Sequence, residues 1–456
     1  MKTSSRTNPS GMNALSYSLN DFPGVGKSAL LGMQHVLIMF TAMIGLPVIL
    51  SNILGLSPEL RAAMINGVMV GCGIGTIVQA LGIGFIGARL PIVMGVFYIF
   101  IGPIVSISNT VSIAAAMTAI MIGGLLEFLV SPIIGKLQRF FPPLVTGTVI
   151  TLIGVALMPI AINNAVGLNT PMFGQLSSLI LAGSVIAIII IVNRLTSGFL
   201  KAISLFLALV AGYFLAWIMG FLDFSIVASA GWFAIPSVFP FGPPEWPGIG
   251  GLIAVAIAFF ASAIETVGDA IAVSSTVDVE PTEKRVRGAV AVDGLGSTLA
   301  AIFGGTPLTS YSQNIGVITL TGVGSRFVVA MGGGILILLA LIPKVGALIS
   351  IIPAPLLGGT LVVMFGMVAS VGVGILRDAL KTKRDALIFA VSVGVGLAIT
   401  VAPSGAFDAI PSGLRIVISD GIVVGALLAI VLNVVLPVEQ RAASAEATEE
   451  PAAVKP

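Results

Sequence analysis

Charge is the scarcest commodity in this sequence. Only 9% of its 456 residues are charged, against roughly 25% in an average soluble domain. A water-soluble chain of this length cannot clothe its surface with so few. The net charge of +2 leaves no basic stripe for phosphates, which excludes a nucleic-acid binder. Cys72 is the single cysteine, so neither a disulfide framework nor a cysteine metal cluster is available. His35 is the single histidine, which removes a multi-histidine metal site as well. No cofactor motif is present. What abounds is apolar: 57% of residues are hydrophobic and the mean hydropathy is +1.13. The apolar runs are continuous and near 20 residues long. That suits membrane-crossing helices rather than the alternating strands of an outer-membrane barrel.

The expected fold class is therefore an all-α polytopic membrane protein. Fourteen candidate spans lie between residues 30 and 437. Their approximate extents are 30–54, 61–83, 91–108, 110–131, 142–163, 175–193, 199–222, 250–273, 287–304, 307–322, 326–350, 354–376, 385–402 and 415–437. Residues 1–28 read as a polar cytoplasmic segment without a signal peptide. Residues 29–437 read as the transmembrane unit, and 438–456 as a disordered cytoplasmic tail. With the N-terminus inside and the loops alternating, eighteen of the 21 basic residues fall on the cytoplasmic side. Arg61, Lys344 and Arg415 fall outside. That bias is what the positive-inside rule requires, and an extra or missing span would scramble it. Both termini are thus expected in the cytoplasm and the protein in the inner membrane. The stretch 223–249 is the longest external loop, with Trp232 and Trp246 as interfacial anchors.

A bundle of this size with no soluble domain reads as a transporter. The third and tenth spans are short and broken by Pro, Gly and Ser, and they stand seven spans apart. Two inverted halves of seven would put them in equivalent positions around one site.

Ionisable groups inside spans are costly and usually functional. Glu265 and Asp269, in FFASAIETVGDAIAVS, are four apart and share one helix face. Two such acids in a low dielectric resist simultaneous ionisation, which suits proton coupling. Asp293 follows in the next span and is expected to organise the site. Glu127 reads as a snorkelling or paired residue near Lys136 and Arg139. Asp420 lies near the start of the last span. His35 both donates and accepts a hydrogen bond and titrates near neutrality. From Gly304 to Arg326, Thr306, Thr309, Ser310, Ser312, Gln313 and Asn314 gather where lipid would tolerate none of them. An extended piece there is expected to enter a helix near Asn314, offering free backbone N–H groups. Carboxylate, amide and backbone donors together fit a planar heterocycle better than a bare cation or an inorganic anion.

QNIGVITLTG, Gln313 to Gly322, resembles the signature of the nucleobase–ascorbate transporter family, also called the nucleobase:cation symporter family. Gln313, Asn314, Gly316, Thr321 and Gly322 meet its constrained positions. QHVLIMF from Gln34, RLPIVMGVFY ending at Tyr98, AIETVGDA around Glu265 and VDGLGS around Asp293 resemble the family's motifs in spans one, three, eight and nine. The resemblance implies fourteen spans in two inverted repeats of seven, arranged as core and gate domains. It implies short antiparallel strands in spans three and ten, a homodimer in lipid, and elevator-type import driven by protons rather than sodium. By position, Glu265 would hydrogen-bond the base and Gln313 its other edge, with backbone at Tyr98 and Ser312 completing the site. Asp269, Asp293, Asn314 and His35 would support the site and coupling, and Thr321 and Gly322 would bear on specificity. Glutamine at the signature's first place goes with xanthine or urate, glutamate with uracil, and proline with ascorbate. Tyr98 departs from the family's usual phenylalanine, and its hydroxyl would add a contact. The expected substrate is xanthine and/or urate, with no nucleic acid, metal or cofactor involved. A uracil/proton symporter is the alternative within the family, and a sulfate-permease-type anion carrier of similar fold the alternative outside it. Intramembrane hydrolysis is disfavoured, since a single histidine leaves no zinc triad and the sequence around Asp269 and Asp293 lacks the Tyr-Asp and Gly-x-Gly-Asp pairing of an aspartyl protease.

Overall fold

The computed structural model describes residues 15–134, 142–403 and 405–437. Nearly everything in it is helical. The first half runs α1 (Val25–Ile53), α2 (Pro58–Leu81), β1 (Met94–Val96), α3 (Ile101–Thr110), α4 (Ile113–Val130), α5 (Pro143–Ala156), α6 (Met158–Ala165), α7 (Leu176–Leu195), α8 (Gly198–Ala202) and α9 (Ser204–Ile218). A short helix, α10 (Ser225–Ser229), interrupts the long loop. The second half runs α11 (Gly248–Thr276), α12 (Glu283–Ile302), β2 (Leu308–Ser310), α13 (Gln313–Thr321), α14 (Arg326–Ala340), α15 (Pro343–Ser350), α16 (Ala354–Ala379), α17 (Lys383–Thr400), α18 (Ser412–Ile418) and α19 (Gly421–Val435).

Among the described residues, seven helices are long and apolar enough to cross a membrane, or eight if α14 and α15 count as one bent span. Length alone therefore does not reach the fourteen read from the sequence, and the reasons are visible in the helices. α12 opens on Glu283, Lys284, Arg285 and Arg287, and α17 on Lys383, Arg384 and Asp385. α9 and α19 are shorter apolar helices, as is the helical stretch Tyr98–Thr110. Several runs read as single spans are divided. The stretch 326–350 bends by 83° between α14 and α15. Ile342 precedes Pro343 and takes an extended conformation, as a residue before proline prefers. The stretch 142–163 divides at Leu157 into α5 and α6. Residues 15–24 are tied down by backbone hydrogen bonds. Ser16 donates to the Gly322 carbonyl, Gly324 to Tyr17 and Arg326 to Leu19, so this segment straps the turn between α13 and α14. The expected disordered tail lies outside the described residues.

The helices pack chiefly in two groups. α1, α2, α4, α11, α12 and α14 pack among themselves, as do α5, α6, α7, α9, α16, α17 and α19. Fifty-five glycines make this possible. Between α2 and α14, a Cβ on Gly73 would lie 2.7 Å from the Gly333 carbonyl oxygen, and one on Gly333 would lie 2.6 Å from that of Gly73. Lipid supplies no hydrophobic drive between helices, so close backbone contact of this kind is what holds them.

Candidate substrate site

Two three-residue strands organise the centre. β1 pairs antiparallel with β2, with Met94 opposite Ser310, Gly95 opposite Thr309 and Val96 opposite Leu308. Strands this short are marginal alone, and side chains from neighbouring helices complete them. Thr76 on α2 accepts from the Met94 amide at 2.9 Å. Ser297 on α12 accepts from the Leu308 amide at 2.8 Å and donates to its carbonyl at 3.2 Å. Gly95 is required here because the Tyr311 ring lies flat against it. Each strand leads into a helix, β1 through Tyr98–Phe100 into α3 and β2 through Tyr311 and Ser312 into α13. These are the two segments that the sequence marks as broken.

Beside this ribbon, α11 presents its acids. Ser312 donates to one Glu265 oxygen at 3.3 Å, while the other Glu265 oxygen is buried without a protein partner. Gln313 is the next residue; it is exposed and its amide carries no hydrogen bond to a described residue. Glu265 thus keeps one free oxygen, and the residue that follows its Ser312 partner carries a free amide. Asp269 is buried one turn along α11, also with an unpartnered oxygen.

Asp293 sits behind the ribbon and is fully buried. Thr266 donates to its Oδ2, and the Ser310 amide reaches Thr266 Oγ1 at 3.4 Å. Thr266 therefore joins α11, α12 and β2. The sequence reading missed it, although its place next to Glu265 turns it about 100° around the helix, toward α12. Asn314 forms a second junction: its Oδ1 pairs with His35 Nδ1 at 2.8 Å and its amide donates to the Pro91 carbonyl. This ties α1, α13 and the approach to β1 together, and His35 Nε2 remains buried and unpartnered.

Thr321 and Gly322 stand apart from the ribbon, and the Tyr98 hydroxyl is engaged elsewhere. The Tyr98 hydroxyl donates to the Ala42 carbonyl at 2.7 Å, so its side chain locks to α1 and only its backbone faces the ribbon's end. Thr321 and Gly322 lie at the far end of α13, about 12 Å along the helix from Gln313. Thr321 donates to Val317 within the helix, and Gly322 takes the left-handed conformation (φ 69°) that ends it. Glu127 is 5% exposed, and among the described residues neither oxygen has a partner; Lys136 and Arg139, near which it was read as snorkelling or paired, lie outside those residues. Asp420 caps α19, accepting from Ile422 and Val423 at 3.0 Å each.

Comparison with known proteins agrees with this architecture. A model described as "Permease family" matches residues 26–405. A xanthine permease from Bacillus subtilis is 36% identical over 425 residues, covering 93% of this chain and 97% of the relative. A uric acid permease from the same organism is 36% identical, covering 90% and 96%. The transmembrane domain of a cyanobacterial bicarbonate transporter, BicA, superposes with a TM-score of 0.57 at 16% identity, covering 92% of this chain and 100% of that one. The last likeness concerns the fold alone.

Proposed function

Because the chain belongs to this permease family and is a multi-pass membrane protein with nucleobase permeases among its relatives, we propose that it imports an oxidised purine, xanthine and/or urate, by proton symport. The observation that carries the substrate class is a Glu265 carboxylate with one free oxygen, bonded to Ser312, the residue before the free Gln313 amide. A purine dione offers N–H donors and carbonyl acceptors along one planar edge. The carboxylate accepts from the N–H groups, and the amide both donates and accepts. An inorganic anion would meet the Glu265 charge at close range, which argues against the sulfate-permease reading despite the shared fold.

The proposed topology is fourteen spans with both termini in the cytoplasm. The seven long helices, the bent α14–α15 pair, the three shorter apolar helices, α12 and α17 with their charged first turns, and α13 make up that number. The pairing of β1 with β2 supports inverted repeats, since each strand opens a broken segment of its own half. In the proposed elevator cycle, the group of helices carrying Glu265, Asp293 and His35 moves against the second group. We place the protein in the inner membrane as a homodimer.

The test is radiolabelled uptake in cells without their own base permeases, offering xanthine, urate, uracil, hypoxanthine and adenine. Saturable uptake of xanthine or urate is expected, and Gln313→Glu should shift preference toward uracil or weaken purine uptake. Uracil uptake alone, or an unchanged profile in that variant, overturns the role given to Gln313.

A further inference from the structure

Glu127, unlike Asp420, which caps α19, is a span acid with no role so far assigned to either oxygen. It lies on α4 one turn before the helix ends, and both of its oxygens are buried without a described partner. Its neighbour across the helix pair is the Asp293 region of α12. Gly124 and Gly294 let the two backbones touch: a Cβ on Gly124 would lie 2.5 Å from the Gly294 carbonyl oxygen, and one on Gly294 would lie 3.3 Å from the Glu127 Cβ. Asp293, the residue before Gly294, also keeps one oxygen buried and unpartnered. The other titratable groups on the elements packed against α4 are Glu265 and Asp269 on α11, with Glu283, Lys284, Arg285 and Arg287 at the opening of α12. α3 carries none.

Glu127 also borders space. A cavity of about 240 Å³ lies between α4, α11 and α12, walled by apolar side chains including Phe259, Val130 and Ile134, with Glu127 as its acid. Ile134 is shared with a second cavity of about 230 Å³ that contains Glu283 and Arg287. The first cavity gives the Glu127 side chain room to turn. The second continues toward the loop that joins α11 to α12, on the face proposed as cytoplasmic.

We propose that Glu127 is a proton-carrying group of the transport cycle, taking the proton from Asp293 and releasing it toward the cytoplasm. The Asp293 O–H bond breaks and leaves its electron pair on that carboxylate. The proton bonds to a Glu127 oxygen, and after the side chain turns, it passes to water as hydronium. Thr266 links Asp293 onward to β2 and so to the ribbon beside Glu265. Glu127 touches no substrate in this scheme and acts through Asp293.

The scheme rests on the proton-symport reading, and the experiment separates the two. Purified protein in proteoliposomes is given radiolabelled xanthine, or urate if the wild type carries that base, in two assays. One is accumulation driven by an imposed pH gradient, and the other is exchange of label against internal substrate at equal pH. Wild-type accumulation that ignores the pH gradient overturns proton symport itself. With that gradient effective, Glu127→Gln is expected to accumulate about 100-fold less, the scale of losing one positioned proton carrier. Exchange should persist, the pH profile of accumulation should flatten, and Glu127→Asp should restore part of the accumulation. Wild-type accumulation by Glu127→Gln overturns the relay while leaving symport standing. Equal loss of accumulation and exchange in both variants also overturns it, by assigning Glu127 a structural role.

Discussion

Glu265 and Thr266 are adjacent in sequence but serve different partners. Glu265 meets Ser312 and keeps one oxygen free, whereas Thr266 turns to Asp293 and β2. Glu265→Gln keeps the shape and removes the acceptor charge. Hydrogen bonds to charged groups contribute roughly 1.5–3 kcal/mol, so the substitution should lower uptake by about tenfold to 100-fold. Uptake kinetics at matched membrane expression check this, and a wild-type rate would remove the carboxylate from substrate binding. The sequence showed Glu265, Asp269 and Asp293 as costly acids, because any span acid stands out against lipid. Glu127 stood out equally. Its reading as a partner of Lys136 and Arg139 concerns residues outside those described, while its burial was not legible from the chain and is decided by packing. Tyr98 was similarly illegible: its residue type advertises a hydroxyl, but a backbone carbonyl on α1 takes it.

At the scale of elements, the extended piece after Gly304 and the helix starting near Asn314 were readable from their Pro, Gly and Ser content and turn chemistry. The register of Met94 with Ser310 was not, since three residues of strand carry too little pattern to specify pairing. Thr76 and Ser297 set it from other helices, and Tyr311 from the connection after β2. Helix contacts depend as strongly on small residues. A side chain at Gly73 would meet the Gly333 carbonyl oxygen and the Ile337 amide of α14, both backbone atoms with little freedom to shift. Gly73→Val should therefore destabilise the protein by about 1–3 kcal/mol through overpacking. The check is the melting temperature in detergent, and an unchanged value would mean that α2 and α14 are free to separate.

Across the whole molecule, the two helix groups and the acids gathered in one of them suit a cycle in which substrate and proton move together. A protonophore should collapse accumulated base to its equilibrium level, and removing sodium should leave accumulation intact. Time courses of uptake under both conditions decide the matter; the reverse pattern would establish sodium coupling. What the sequence determined by itself was the solvent and the chemistry. A chain with 9% charge must reside in lipid, and acids and amides within its spans must face inward, because hydrocarbon penalises each unsatisfied polar group locally, whatever the fold. The tertiary structure alone decided which of those groups meet. Strand register, the Thr266 and Asn314 junctions, and the inward turn of Glu127 depend on backbones far apart in the chain being brought to contact distance, and no local pattern encodes that distance.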